Sequence, residues 1–222
     1  MYKTNSKREQ PRGHIPVLRK TTIAPKVDLY HTDNEGKHSF IIALYETVAR
    51  NHLHRIRDKL PTMDSGVNPK KVYMSGAPLA ALKFVIEIVI KDGPKTYIRV
   101  RERPLKMAIA LLQAVQVLGL DPPQPHIENH IVGHVSHEKL DAEEIAAMDL
   151  AFRADGLENR CWRTMVDHLG WLFVKGKWTE AELKDIMPAI RTLPALDRAV
   201  SEKVESLRRL QENRARMKGK VR

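Results

Sequence analysis

The chain holds a single cysteine, Cys161, among 222 residues. That excludes an internal disulfide and any multi-cysteine zinc or iron–sulfur cluster. Aromatics are scarce, with five tyrosines, four phenylalanines and three tryptophans. Their scarcity argues against the stacking platforms on which single-strand nucleic-acid binders hold bases. Long apolar runs are missing too. The longest, "FVIEIVI", is interrupted by Glu87 and falls short of the ~18–20 residues that cross a bilayer, so no membrane partner is expected. The basic start, "MYKTNSKREQPRG", lacks the apolar segment of a secretory signal, and Pro11 and Gly13 break any amphipathic transit helix. A cytoplasmic, nuclear or nucleoid location is the expectation.

Catalytic signatures are equally thin. "MSGAPL" and "VKGKWT" lack the Gly-Lys-Ser/Thr context of a phosphate loop, and no G-x-S-x-G elbow or diagnostic Cys–His spacing occurs. The reading leans away from an enzyme.

What the chain does have is positive charge, formally +11, distributed unevenly. Residues 1–30 carry seven Lys/Arg against two Asp/Glu, and residues 198–222 carry nine against three. The stretch between them holds twenty-two of each, so the whole surplus sits toward the two ends. Such a distribution favours contact with a polyanion, chiefly nucleic acid.

Periodicity divides the chain. Residues 1–23 are polar and basic, with Pro11, Gly13 and Pro16, and read as a flexible arm. Residues 24–120 read as an α+β core. Within it "KVDLY" is a short strand, "HTDNEG" a turn, and Ser39 to Lys59 a helix, from Phe40, Leu44, Val48 and Ile56 at helical spacing. Alternation in "KFVIEIVIK" and "TYIRVRE" around an Asp-Gly turn predicts a hairpin over 82–102, with Tyr97, Arg99 and Arg101 on one face. "KVYMS" or "KVDLY" is available as a third strand. "LKMAIALLQAVQVLGL" is an apolar helix that Gly119 can cap. Residues 121–137 form a Pro/His-rich connector, 138–210 a helical region, and 211–222 a basic tail. Capping boxes start helices at Asp141/Glu144 and Thr179/Glu182. The expected fold is α+β, predominantly helical: a small antiparallel hairpin or three-stranded sheet packed on helices, followed by a helical C-terminal half.

"HIENHIVGHVSH", from His126 to His137, places four of the ten histidines in twelve residues. On one helix all four share a face, but the 1.5 Å rise spreads them over about 16 Å, and a single zinc ion can use only an i,i+4 pair such as His126 and His130. Glu128 is not where a zincin glutamate belongs, directly after the first histidine. Gly133 and "VSH" weaken a continuous helix. The stretch therefore reads as a polar turn between packed elements, with a pH-sensitive or polyanion-contacting histidine surface as the alternative, and no cofactor is expected. Zinc at His126 and His130, in a histidine-dependent metalloenzyme, is the weakest alternative.

The leading expectation is a non-enzymatic nucleic-acid-binding protein, or a subunit of a nucleoprotein assembly, contacting duplex DNA or structured RNA through phosphates. Its candidate contacts are Lys3, Lys7, Arg8, Arg12, Arg19 and Lys20 in the first arm, and Arg55 and Arg57 on a helix end. Arg99 and Arg101 follow on the strand, and Arg208, Arg209, Arg214, Arg216, Lys218 and Lys220 toward the end. A sharper form places a helix-turn-helix in "RTMVDHLGWLFVKGKWTEAELKDI", with Lys175, Lys177 and Lys184 on phosphates. The competing expectation is a scaffold or adaptor subunit that binds other proteins through its C-terminal helix, where Leu193, Val200 and Leu207 begin a heptad that Lys203 and Arg214 interrupt.

Overall fold

The computed structural model describes residues 24–60, 70–93 and 96–219. Its first element follows from turn chemistry. The Asp33 carboxylate accepts from the backbone N–H groups of Glu35 and Lys37, and Gly36 takes φ +80°, so the chain reverses between β1 (Lys26–Thr32) and β2 (His38–Tyr45). The two strands pair antiparallel, with the register shifting between Leu29 and Tyr30. β3 (Lys70–Met74) joins the other edge of β1 in parallel, giving a three-stranded mixed sheet of order β2-β1-β3. Val27, Leu29, Ile41, Leu44, Val72 and Met74 enter the core.

The helix expected over Ser39–Lys59 is thus strand as far as Tyr45. The register shift accounts for the misreading. An extra residue in β2 brings Ile41 and Leu44 to the buried face three apart, a spacing that also suits a helix. Helix begins only at α1 (Glu46–His52) and resumes in α2 (His54–Lys59). The buried Glu46 ties sheet to helix, accepting from Lys70 at 3.1 Å and Arg50 at 2.7 Å.

The hairpin expected over 82–102 is not formed. α3 (Leu79–Asp92) covers its first strand, burying Ala81, Leu82, Val85, Ile86 and Val89, a 3,4-spaced stripe. The charged residues Lys83, Glu87 and Lys91 stand four apart, which keeps them on one face of a helix or of a strand, so both periods fit and the β-branched residues favour strand. The Asp92-Gly93 pair ends a helix instead of turning a hairpin: Gly93 has φ +56°. Residues 96–100 are extended but outside the sheet. Their alternation survives nonetheless, with Ile98 and Val100 buried and Tyr97, Arg99 and Arg101 exposed.

α4 (Leu105–Leu118) is the central helix, with eight buried side chains and a left-handed cap at Gly119. The backbone of Gly119 approaches α2 closely, where Leu53 and Leu120 form a bridge and the His54 N–H donates to the Gly119 carbonyl at 2.9 Å.

The stretch 121–137, expected as a connector, is mostly a packed helix. α5 (Pro125–His137) starts with proline in its first turn, where a missing N–H costs nothing. It buries Ile127, Ile131 and Val135 against its neighbours. That apolar i,i+4 stripe was masked by the histidines interleaved with it, and Gly133 does not interrupt it. α6 (Ala142–Phe152), α7 (Arg160–Val174), α8 (Glu180–Arg191) and α9 (Pro194–Gly219) complete the helical half, with capping boxes at Asp141/Glu144 and Thr179/Glu182 as expected. α8 continues through Pro188. One hydrophobic core runs from Val27 to Val200, so 121–125 separates no second core. Among the described residues no helix is long and apolar enough to cross a membrane.

Candidate anion-binding cleft

Two groups of residues singled out for different reasons in the sequence meet in space. Tyr97, Arg99, Val100, Arg101, Glu102 and Arg103 form one wall of an open cleft of about 690 Å³, and His126 and His130 from α5 form the other. Gln124, buried just ahead of α5, holds the walls together. Its amide NH2 donates to the carbonyls of Thr96 at 3.0 Å and Pro122 at 2.9 Å, and its oxygen accepts from the Ile98 N–H at 3.3 Å. One side chain thereby supplies the hydrogen bonds that a neighbouring strand would give the extended segment.

His126 adds a second tie. Its Nε2 lies 2.7 Å from the Ile98 carbonyl oxygen, which can only accept, so Nε2 carries the proton. The imidazole also stacks on Tyr97, with centroids 4.3 Å apart and planes 18° apart. Arg103 is similarly committed, donating to the Arg99 carbonyl at 2.9 Å and covering the Phe84 ring at 4.7 Å. Arg99, Arg101 and His130 make no side-chain hydrogen bond or ion pair to any described residue. The cleft thus combines one tethered guanidinium, that of Arg103, with those of Arg99 and Arg101, against one lining carboxylate, Glu102.

This geometry suits an anion and opposes a dication. Zinc at His126 and His130 would sit among three guanidinium groups, with one Nε2 already donating to a carbonyl, and among the described residues no group of three or more metal-ligating side chains gathers. The histidine cluster also separates in space: His137 Nδ1 bonds the Gly133 carbonyl at 2.8 Å, away from the pair in the cleft.

The other sequence-selected cations are dispersed. Lys3, Lys7, Arg8, Arg12, Arg19, Lys20 and Lys220 lie outside the described residues. Arg55 is exposed on α2 beside Gly119, and Arg57 is exposed with Asp58 at 3.4 Å. Arg208, Arg209, Arg214 and Arg216 lie on the exposed distal half of α9, with Arg209 paired to Glu205 and Lys218 in the last helical turn. In the proposed helix-turn-helix, Lys184 pairs with Glu180 at 3.3 Å, and Lys175 and Lys177 are exposed at the α7–α8 turn. Cys161 is buried, and burial pushes its thiol up to about 12, which removes the thiolate a nucleophile needs.

Sequence reasoning missed Gln124, and with it the meeting of Arg99, Arg101 and Arg103 with His126 and His130. The alternation in "TYIRVRE" flagged the arginines, but nothing local indicates that a glutamine 26 residues from Ile98 anchors them. No known protein family, curated protein or solved structure matches the chain.

Proposed function

We propose that the protein is a non-enzymatic nucleic-acid-binding module, contacting the phosphates of duplex DNA or structured RNA. The observation that carries this reading is the cleft, where Arg99, Arg101, Arg103, His126 and His130 converge against one carboxylate. Guanidinium groups recognise phosphate oxygens through paired N–H donors, and Arg99 and Arg101 are uncommitted. The cationic surplus toward both ends of the sequence adds a longer-range attraction.

Titration of a labelled duplex and a labelled RNA hairpin, from about 50 to 200 mM salt, tests the reading. Micromolar or tighter binding that weakens steeply with salt is expected. An Arg99→Glu/Arg101→Glu variant should bind more weakly, with a log–log salt slope reduced by about 0.9 for each duplex phosphate it no longer neutralises. Absence of binding at low salt would overturn it.

A second reading, a protein scaffold, draws support from α9, where Leu210 and Met217 stay exposed beyond the part that packs. Leu196 and Val200 are core residues, so the discriminating deletion is 208–222. Sedimentation that shows self-association abolished by removing this segment favours the scaffold.

A further inference from the structure

The few aromatic side chains of this protein are not spread evenly. Three of the five tyrosines, Tyr30, Tyr45 and Tyr73, lie on the sheet together with Phe40. The register sets Phe40, Tyr30 and Tyr73 side by side across all three strands, on the face turned away from the core. Tyr30 is half-buried between the other two, edge-on to Phe40 at 5.5 Å and stacked at 26° on Tyr73 at 5.3 Å. Phe40 and Tyr73 remain 51% and 44% exposed. The middle ring braces, and each outer ring keeps part of its surface open to solvent.

Polar groups surround this row. In the adjacent row the register aligns Ala43, Asp28 and Lys71, and the Lys71 ammonium lies 5.9 Å from the Tyr30 centroid. On the other side His38 packs on Tyr73 at 4.6 Å while Thr32 holds its Nδ1 at 2.9 Å. Lys59 reaches the Tyr73 carbonyl from α2.

Resting on the nucleic-acid reading above, we infer that this outer sheet face holds an unpaired stretch of RNA, with bases stacked on Phe40 and Tyr73. Bases stack on exposed rings without regard to sequence, and lysines beside the rings meet the backbone phosphates. Phe40 and Tyr73 stand two strand spacings apart, about 10 Å, so each ring takes its own base of one short stretch of chain. Asp28, unsuited to phosphate, is suited to accept from the exocyclic amino group of cytosine. The phenolic hydroxyls of Tyr30 and Tyr73 can exchange hydrogen bonds with ribose 2′-hydroxyls, the groups that distinguish RNA from DNA. A protein partner fits less well, because the centres of protein interfaces are depleted of the lysine and aspartate found here.

The test uses the full chain and four labelled probes: an unstructured mixed-sequence RNA oligomer, the DNA oligomer of the same sequence, and duplexes of each. The RNA oligomer should bind tighter than its DNA counterpart. Phe40→Ala/Tyr73→Ala should weaken it about tenfold or more, from the usual effect of removing a stacking ring, and leave the salt slope unchanged because every cation that meets a phosphate is still present. Phe40→Tyr/Tyr73→Phe should restore binding, which a merely unfolded variant cannot explain. Lys71→Glu should weaken binding and also flatten the slope. Wild-type affinity in the alanine variant, equal binding of RNA and DNA oligomers, or an altered sedimentation coefficient in place of altered RNA affinity would overturn the inference. If one of these results appears while duplexes still bind and Arg99→Glu/Arg101→Glu weakens that binding, the sheet-face inference alone falls. If no probe binds, the function proposed above falls with it.

Discussion

His168 illustrates how one side chain sets a pH dependence. Its Nε2 is buried without a hydrogen-bond partner among the described residues, and burial pushes the imidazole below its ordinary value, opposed by a backbone hydrogen bond at Glu138. An unfolded histidine titrates near pH ~6.5, so between that value and the lower folded one the unfolded chain binds more protons. Stability is therefore full above about pH 6.5 and declines as pH falls through the folded value. Urea midpoints from pH 7.5 down to 5 should decline in the wild type and decline less in His168→Asn. Glu182 acts in a lower window. The Lys139 ammonium, then the Thr179 backbone and hydroxyl, hold its carboxyl down at about 2, so Lys139→Ala should raise the Glu182 titration seen by NMR toward the ordinary carboxylate range. Gly119 supplies a third residue-scale expectation. It has φ +62°, and an added Cβ would lie 2.7 Å from the Arg55 backbone nitrogen. Left-handed strain and the collision act together, so Gly119→Ala should cost at least about 2 kcal/mol in urea denaturation.

At the scale of elements, the crossing of α7 and α9 turns on Gly170. A Cβ there would meet Lys203 Cγ at 2.7 Å, and the Lys203 ammonium pairs with Asp167 at 2.6 Å. Alanine gains about 0.5–1 kcal/mol as a helix former, but overpacking costs about 1–3 kcal/mol, so Gly170→Ala should destabilise by roughly 1 kcal/mol. Hydrogen exchange should quicken first in α9. Lys203 had read as a fault in a heptad, yet its stem covers a glycine on the facing helix. The same limit applied elsewhere. Capped helices were legible because Asp141, Thr179 and Gly119 act on backbone within a few residues. α3 was not, because its charged Lys83, Glu87 and Lys91 stand four apart, a spacing that one face of a strand and one face of a helix both accommodate. Nor was the part of Ser39–Lys59 up to Tyr45, where a register shift gave a strand helical spacing. In the cleft, the facing of Arg99 and Arg101 was legible from alternation. Their meeting with His126 and His130 was not, since it depends on Gln124. The count of aromatics said nothing of where strand register would gather them.

For the whole molecule, core and charge are partly separable. Among the described residues the core ends at Val200, and from Glu205 to Met217 the side chains are exposed apart from a half-buried Leu207. Deleting 211–222 should shift the thermal midpoint by little more than its error. It also removes Arg214, Arg216, Lys218, Lys220 and Arg222 against Glu212. Under the proposed function the same deletion lowers the salt slope of duplex binding, and an unchanged slope would confine the phosphate-binding groups to the cleft and other surfaces. Asp149 marks the opposite case. It is buried and accepts from the Trp162 indole at 3.1 Å, so Asp149→Ala leaves that donor unsatisfied and should cost about 1–3 kcal/mol.

The Gln124 clamp has a consequence for redesign. In a strand, inserting one residue turns every following side chain to the opposite face, so sheet edges resist changes of length. The 96–100 segment belongs to no sheet: one amide and one imidazole hold its backbone, and the buried side chains of Ile98 and Val100 fix which face turns inward. That burial sets its length but not its outer face. Residues of other size and charge can replace Tyr97, Arg99 and Arg101 while Ile98, Val100 and the backbone groups facing Gln124 and His126 are kept, and β1, β2 and β3 need no new register. The outward face of this wall can therefore be rewritten without renegotiating the fold.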